Sequence, residues 1–258
     1  MRFSTITLLS LASLALASPI AAPIPKAVLT RDQAEKRQTP LNAFLDLLLD
    51  YLPAVDGTIN AVAGILTTFE SFLAALTGEQ TTYNELGNTC KPYTVIFARG
   101  TTEPGNVGIL VGPPFLKALD MAAGAANVVV QGVNNYAADV QGYLAGGDAK
   151  GSADMAAKIT TLKAKCPNTK LITAGYSQGG QIIHNAAKLL PAATAQWISK
   201  VIIFGDPYSK QPVANVAESK RKTFCNAGDN ICVNGPLILS PHLLYGLNAV
   251  EAAKFATS

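Results

Sequence analysis

The clearest structural signal in the chain is the segment Lys170-Leu171-Ile172-Thr173-Ala174-Gly175-Tyr176-Ser177-Gln178-Gly179. Its first half is a short apolar run of the kind that predicts a buried strand, and residues 178–190 have helical composition. Between them lies a G-x-S-x-G match. In such a match, a sharp strand-to-helix turn strains the serine backbone and leaves room only for glycine two residues to either side. This context predicts that Ser177 is a nucleophile rather than part of an ordinary tight turn.

The same alternation of apolar runs and helical segments continues through the rest of the chain. The predicted strands cover residues 93–98, 127–131, 170–174, 200–204 and, more weakly, 221–225, and the predicted helices cover 107–123, 152–165, 178–190 and 245–255. Strands that alternate with helices form a parallel sheet covered on both faces. The predicted fold class is therefore α/β with a five-stranded parallel sheet, and chemistry is expected at the carboxyl ends of its strands.

A serine hydroxyl needs a base to take its proton, and the sequence contains only two histidines. His184 follows Ser177 along the predicted helix and lies about 10 Å along the helix axis from it. We therefore interpret His184 as a helix-surface or packing residue. His242 follows the last predicted strand, where an α/β-hydrolase places its base. We predict His242 as the base, against the alternative of an ordinary loop histidine.

Two aspartates compete as the acid that orients this base. Asp206 follows the fourth predicted strand, and Asp229 follows the fifth inside the segment 225–232. We favour Asp229, because it is closer in sequence to His242 and because a bridge between Cys225 and Cys232 would hold its loop rigid. Asp206, which precedes a proline, is interpreted as the cap of a turn or of a helix start.

Acyl transfer also needs hydrogen-bond donors for the oxyanion that develops during the reaction. The residue after the nucleophile, Gln178, supplies one backbone N–H. The first strand ends in Arg99-Gly100-Thr101-Thr102-Glu103-Pro104-Gly105, and we predict that Thr101 supplies the second donor through its N–H, with its hydroxyl as a further donor. A plain turn followed by a helix cap is the alternative interpretation of this segment.

Length and composition exclude several other classes of protein. The chain has 258 residues, of which 49% are hydrophobic and 14% charged, with a formal net charge of +3. A disordered chain would be poorer in Leu, Ile, Val and Phe, and a nucleic-acid binder would concentrate its basic residues in one region. We expect one enzyme-sized globule with no nucleic-acid partner and no stable membrane insertion, whose weakly charged surface wets apolar material readily.

The N-terminus resembles a secretory signal followed by a pro-segment. Residues 1–17 contain a basic start, an apolar stretch and the A-x-A site Ala15-Leu16-Ala17. Residues 18–37 are rich in Pro and Ala and end in the dibasic pair Lys36-Arg37, which is typical of a processing site. We expect a secreted, extracellular protein that starts near Gln38 and carries a net charge near zero.

Four cysteines in an exported chain indicate disulfides rather than a metal site. Three pairings of Cys90, Cys166, Cys225 and Cys232 are possible. We favour Cys225 with Cys232, which closes a short local loop and leaves Cys90 to pair with Cys166. No metal and no organic cofactor is expected.

In these residues the chain resembles the cutinase family, which includes acetylxylan esterases. The motifs that match in order are residues 99–105, residues 175–179, the segment 225–232 and Pro241-His242. The resemblance implies a small α/β-hydrolase without a large lid. It also implies a triad of Ser177, Asp229 and His242, an oxyanion hole at Thr101 and Gln178, and the two disulfides favoured above. Many members have serine at the position of Thr101, whose extra methyl group is expected to crowd the acyl carbonyl.

The expected activity is that of a monomeric serine esterase acting through an acyl-enzyme on cutin-type polyester and on short to medium fatty acyl esters. Leu237, Ile238 and Leu243 flank His242 and are interpreted as an apolar substrate rim, although plain core packing would also explain them. An apolar rim favours fatty acyl chains over the alternative of an acetylxylan or other short-chain carbohydrate ester. A non-catalytic secreted surface-binding protein is the alternative from another class.

Residues 38–88 precede the matched region and read as an apolar helical extension. Their apolar side chains fall on two helical stripes: Leu41, Phe44, Leu45, Leu48, Tyr51 and Leu52, and Ile65, Phe69, Phe72, Leu73 and Leu76. We expect two helices docked on the core of the catalytic domain at 89–258. They would partly cover the site or help adsorption to an apolar surface.

Overall fold

A computed structural model describes residues 40–87 and 89–258. The predicted signal, residues 1–17, and the predicted pro-segment, residues 18–37, lie outside the described residues. In chain order the elements are α1 (Leu41–Asp50), β1 (Asp56–Thr58), α2 (Ile59–Thr77), β2 (Tyr93–Ala98), α3 (Gly112–Ala123), β3 (Val128–Gly132), α4 (Val140–Leu144), α5 (Ala149–Lys165), β4 (Lys170–Tyr176), α6 (Gln178–Leu189), α7 (Ala192–Ala195), β5 (Lys200–Phe204), β6 (Arg221–Phe224), β7 (Leu237–Leu239) and α8 (Ala249–Thr257). A 3-10 helix, Ser240–Asn248, joins β7 to α8.

The centre of the fold is a parallel five-stranded sheet in the order β3-β2-β4-β5-β6, which confirms the predicted fold class. Side chains alternate between its two faces: Val95 and Phe97 lie in one core, and Ile96 and Ala98 lie in the other. Helices α1, α2, α3 and α8 pack on the first face, and α5 and α6 pack on the second. All five strands therefore end at one edge, where β4 delivers Ser177.

The helix predicted over 107–123 begins later, at Gly112. Residues 107–111 form turns instead, and the backbone N–H groups of Ile109 and Leu110 bond to the buried carboxylate of Glu103 at 2.9 and 2.8 Å. A side-chain acceptor thus replaces the helical carbonyl acceptors in this segment, which composition did not reveal.

The N-terminal segment shares the hydrophobic core of the catalytic fold. Its buried apolar residues are Leu41, Phe44, Leu48, Val55, Ile59, Val62, Leu66, Phe69 and Leu73. Both predicted stripes are partly wrong, because Tyr51 in the first and Ile65, Phe72 and Leu76 in the second are 45–50% exposed. β1 pairs antiparallel with β7, so α2 starts beside the strand that leads into His242.

Candidate active site

Ser177 occupies a sharp turn between β4 and α6. Its backbone lies at φ 54° and ψ −118°, a strained conformation for a residue with a side chain, as the G-x-S-x-G pattern predicts. A Cβ atom added at Gly179 would lie 2.1 Å from the carbonyl oxygen of Ala98, so β2 leaves no room there for any other residue. The turn places the Ser177 side chain at the carboxyl edge of the sheet.

His242 and Asp229 form a buried hydrogen-bonded pair. Nδ1 of His242 lies 2.8 Å from Oδ2 of Asp229, and the two residues are 2% and 6% exposed. The Tyr245 hydroxyl donates to the same Oδ2 at 2.6 Å, and the Ile231 N–H donates to Oδ1 at 2.9 Å. Burial alone would raise the pKa of Asp229, but the bonds from His242, Tyr245 and Ile231 together lower it below its ordinary value. The carboxylate is thus ionised at neutral pH and can stabilise a protonated imidazole.

The imidazole of His242 is also held by the chain around it. Its ring packs against Tyr176 at a centroid distance of 5.0 Å, and the Tyr176 hydroxyl donates to the His242 carbonyl at 2.9 Å. Gly205, at φ 59°, lies beneath the ring, since an added Cβ would lie 2.8 Å from Cε1. With Nδ1 committed to Asp229, Nε2 is the nitrogen available to Ser177.

The structure brings Ser177 and His242 together on one small cavity. Among the described residues, no hydrogen bond joins the Ser177 hydroxyl to His242. Catalytic hydrogen bonds of this kind often form only when substrate is bound. The cavity that they share measures about 10 Å³, enough for about one water molecule.

The second histidine forms its own buried pair with the competing aspartate. Nε2 of His184 lies 3.0 Å from Oδ2 of Asp206, and both side chains are almost fully buried. His184 is therefore a packing residue and not a helix-surface one. Oδ1 of Asp206 accepts the Tyr208 N–H at 2.8 Å, which is the turn-capping contact expected of it. Neither residue lines the cavity that contains Ser177.

Thr101 and Gln178 lie beside Ser177 as the oxyanion prediction requires. Nε2 of Gln178 donates to Thr101 Oγ1 and to the Asp139 carbonyl, both at 2.8 Å. Because Thr101 Oγ1 is the acceptor in that bond, its own proton is free to point at a substrate oxygen. From the sequence, only the backbone N–H of Gln178 was assigned a function. The structure adds that the Gln178 side chain orients the Thr101 hydroxyl.

Glu103 clamps the loop that carries Thr101, a role that sequence reasoning missed. Its carboxylate accepts the Gly100 N–H at 2.7 Å as well as the two N–H groups after the turn, and it is almost fully buried. Arg99 ties the same loop by donating from Nε to the Glu103 carbonyl at 2.8 Å. Both residues belong to the segment 99–105, but their spacing in the sequence does not indicate which backbone groups they bind.

Helix α2 covers the catalytic residues, so the implied absence of a lid is wrong for this chain. Ser177 is only 2% exposed. The cavity is lined by Ile59, Leu66, Glu70, Thr101, Tyr176, Ser177, Ile238, His242 and Leu243. The predicted rim residues Ile238 and Leu243 are thus part of the cavity wall, whereas Leu237 is not and instead pairs with Thr58 in the β1–β7 ribbon. We call α2, with the β1 strand that anchors it, the cover.

The four cysteines form the two favoured disulfides. Cys90 bonds to Cys166, and Cys225 bonds to Cys232. The second bridge closes the loop that carries Asp229, three residues from Cys232. The carboxylate that holds His242 therefore lies on a covalently closed loop, which limits its movement.

Comparisons with known proteins show which family the chain resembles in sequence and fold. The family model described as Cutinase matches residues 89–258. A cutinase of Botryotinia fuckeliana is 52% identical over 185 residues, which cover 72% of this chain and 89% of that protein. The structure of a Trichoderma reesei cutinase in complex with a C11Y4 phosphonate inhibitor has a TM-score of 0.70 and 43% identity, covering 84% of this chain and 96% of that one. The catalytic core domain of the acetyl xylan esterase from Trichoderma reesei, at 24% identity and TM-score 0.52, covers 66% of this chain and 98% of its own, and shares the fold alone.

Proposed function

Because the chain belongs to the cutinase family, we propose that Ser177, His242 and Asp229 act as one unit that hydrolyses carboxylic esters. The chain is a cutinase-type serine esterase. The observation that carries the assignment of its residues is the strained Ser177 turn, which shares one cavity with a histidine bonded to a buried aspartate.

The mechanism follows from these positions. His242 takes the proton of Ser177 as the serine oxygen attacks the ester carbonyl, and Asp229 stabilises the imidazolium that forms. The N–H and hydroxyl of Thr101 and the N–H of Gln178 stabilise the tetrahedral anion. His242 then gives its proton to the leaving alcohol, and a water molecule repeats the sequence on the acyl-enzyme.

We propose that the substrate class is fatty or hydroxy-fatty acyl esters, including insoluble cutin-type polyester. Ile238 and Leu243 line the cavity beside Ser177 and do not belong to the cover, so the wall that remains when the cover opens is apolar. An acetylated sugar would place hydroxyl groups against these side chains without hydrogen-bond partners, which is unfavourable. The likeness to an acetyl xylan esterase is one of fold and gives no support to a carbohydrate substrate.

Rates on p-nitrophenyl acetate, butyrate, octanoate and longer esters test this substrate class. We expect kcat/KM to rise from acetate to butyrate or octanoate, because each added methylene group buried against the cavity wall contributes up to about 0.8 kcal/mol. A preference for acetate, together with release of acetate from acetylated xylan, would overturn the proposal in favour of the carbohydrate esterase.

We also propose that the cover gives the enzyme its contact with insoluble substrate. The inner face of α2 lines the catalytic cavity, while Ile65, Phe72 and Leu76 on its outer face are 45–50% exposed. Tyr51 stacks edge-on against Phe72 at 5.2 Å, and the two border a shallow groove of about 490 Å³. One helix thus presents apolar side chains to solvent directly above the reacting serine. Adsorption of this face to a polyester would bring substrate to the cover and favour its opening.

Replacing Ile65 and Phe72 together with serine should reduce the amount of enzyme bound to a polyester film by about ten-fold. Two partly exposed side chains of this size contribute about 1–2 kcal/mol when they are buried against the film. Bound enzyme is measured by depletion from solution. Leu189→Ser is the matched control, because Leu189 is 60% exposed on α6, across the sheet from the cover, and its loss should leave binding unchanged. An equal loss in both proteins would contradict a role for the cover.

The protein is proposed to act as a secreted monomer. Two disulfides are typical of an oxidising compartment outside the cytosol. One chain supplies the nucleophile, the base, the acid, the oxyanion donors and the cover, so no second copy is needed to complete the site. Secretion from a producing strain and light scattering of the secreted protein test the two parts separately.

A further inference from the structure

Glu70 is an acidic side chain on the cover that is buried directly above the catalytic residues. It is 2% exposed and lines the same cavity as Ser177 and His242. The hydrolysis described above gives it no role. Within the part of the chain that the structure describes, its Oε2 is buried without a hydrogen-bond partner. A buried carboxylate with an unsatisfied oxygen is costly, so the position calls for an explanation.

The other carboxyl oxygen joins the cover to the oxyanion loop. Oε1 of Glu70 lies 3.1 Å from Oγ1 of Thr102, and the same Oγ1 lies 2.5 Å from the carbonyl oxygen of Thr101. Thr102 has φ 72°, an uncommon conformation for a β-branched residue, and its N–H donates to the Ala138 carbonyl at 2.9 Å. The cover therefore contacts a strained residue next to the predicted oxyanion donor.

These contacts favour a protonated carboxyl. The Thr102 hydroxyl has one proton, yet it has two oxygen neighbours that accept hydrogen bonds. If Glu70 carries a proton, it donates to Thr102 Oγ1, and Thr102 donates in turn to the Thr101 carbonyl. If Glu70 is ionised, one of the two contacts becomes a repulsion between lone pairs. The proton thus completes a series of hydrogen bonds that runs from Glu70 through Thr102 to the Thr101 carbonyl.

The surroundings of Glu70 also disfavour its ionised form. Burial raises its pKa to about 9, with a further increase from the nearby Glu103 and opposing effects from Thr102 and Arg99. Other titratable groups lie on the adjoining elements. Tyr176 and His242 line the same cavity, and Tyr143 on α4 donates its hydroxyl to the Gly235 carbonyl. The acidic residues of α1 and β1 are exposed: Asp46, Asp50 and Asp56. Burial raises the pKa of Glu103 as well, but three backbone N–H groups and Arg99 stabilise its charge. Oε2 of Glu70 has no partner among the described residues, so of the two acids we assign the proton to Glu70.

We propose that Glu70 is a proton-dependent latch, which holds the cover on the oxyanion loop through Thr102 and releases it when the proton is lost. The proposal rests on the proposed catalytic site and on opening of the cover to admit substrate. Glu70 is a positioning residue here, because it acts through Thr102 and not on the substrate.

The direction of the pH effect follows from proton linkage. An exposed Glu70 in an open form would have an ordinary pKa near 4.5, against about 9 in the closed form, so closure binds a proton. The closed form is therefore favoured at low pH and is lost as the pH rises from 4.5 towards about 9. The closed-to-open ratio falls by up to about ten-fold for each pH unit.

The test is the rate at which a dissolved aryl alkylphosphonate inactivates the enzyme between pH 6 and pH 9, without any apolar surface present. The comparison is with Glu70→Gln, whose amide donates to Thr102 as a protonated acid does but cannot lose a proton. The two proteins differ in no titratable group other than Glu70, so the ratio of their rates isolates its effect. We expect the ratio of the wild-type rate to the E70Q rate to rise by at least about ten-fold between pH 6 and pH 9, because closure of the wild type weakens across this range and closure of E70Q does not. Ratios that stay constant across the pH range would overturn the latch, since a merely structural role changes the rate by one factor throughout.

A second variant keeps the proposal testable if E70Q folds poorly. Thr102→Val keeps the shape of the side chain but removes the hydroxyl through which Glu70 acts. Burial still raises the pKa of Glu70 in this variant, so the pH dependence remains, but the contact that holds the cover is lost. We therefore expect its inactivation rate to exceed the wild-type rate several-fold at pH 6. A rate equal to that of the wild type at pH 6 would contradict the latch. Peptide mapping distinguishes the two proposals: failure of the phosphonate to modify Ser177 at any pH defeats the catalytic site, whereas modification with parallel pH profiles defeats only the latch.

Discussion

Replacing Ser177 with alanine should lower kcat on p-nitrophenyl butyrate by about 10⁶-fold, to a rate near the background of the assay. The alanine removes the oxygen that attacks the ester, while the cavity, the His242–Asp229 pair and the oxyanion donors remain in place. A loss of this size requires that covalent catalysis stop, since loss of one positioning contact costs far less.

The variant should keep its fold, because a serine hydroxyl that forms no hydrogen bond to His242 contributes little to stability. Circular dichroism and the midpoint of thermal unfolding provide the control. An S177A protein that folds normally and retains more than about one hundredth of the wild-type kcat would show that another residue is the nucleophile.

Asp229→Asn should lower kcat by about 10⁴-fold, with a much smaller change in KM. Asp229 Oδ2 accepts bonds from both His242 and Tyr245, at 2.8 and 2.6 Å. An amide NH₂ in that place donates to Nδ1 and forces the histidine proton onto Nε2, which can then no longer take the proton of Ser177. The kinetic constants on p-nitrophenyl butyrate measure the effect.

Asp206→Asn is the matched control, because Asp206 is the other aspartate in a buried pair with a histidine. It lies outside the catalytic cavity, so we expect its loss to lower the melting temperature while kcat falls less than about ten-fold. The reverse order, with D206N inactive and D229N active, would make Asp206 the catalytic acid and contradict the assignment.

The sheet and the candidate nucleophile, base and acid could be predicted from the sequence because they depend largely on local patterns. Buried parallel strands read as continuous apolar runs, and a strained turn needs glycine at fixed positions around Ser177. The rise per residue of a helix alone placed His184 too far along α6 to reach Ser177. The choice of Asp229 over Asp206 needed the disulfide, which the structure contains.

The contacts that the sequence did not reveal depend on the conformation of loops and on pairing between distant segments. Glu103 accepts N–H groups on both sides of its own turn, and His184 on α6 pairs with Asp206 in the loop after β5. The position of α2 over the cavity depends on the pairing of β1 with β7, which joins residues 56–58 to residues 237–239. No periodicity in residues 38–88 indicates where such a strand docks, and so neither the cover nor the burial of Glu70 could be predicted.

The most direct test is a structure of the enzyme after reaction with an alkylphosphonate ester. We expect phosphorus bonded to Ser177 Oγ and Nε2 of His242 within hydrogen-bond distance of the adduct. A phosphonyl oxygen should face the Thr101 hydroxyl and the Gln178 N–H. We also expect α2 to be displaced from its place over the cavity. Active enzyme whose Ser177 remains unmodified, or an adduct from which His242 points away, would contradict the proposed catalytic site.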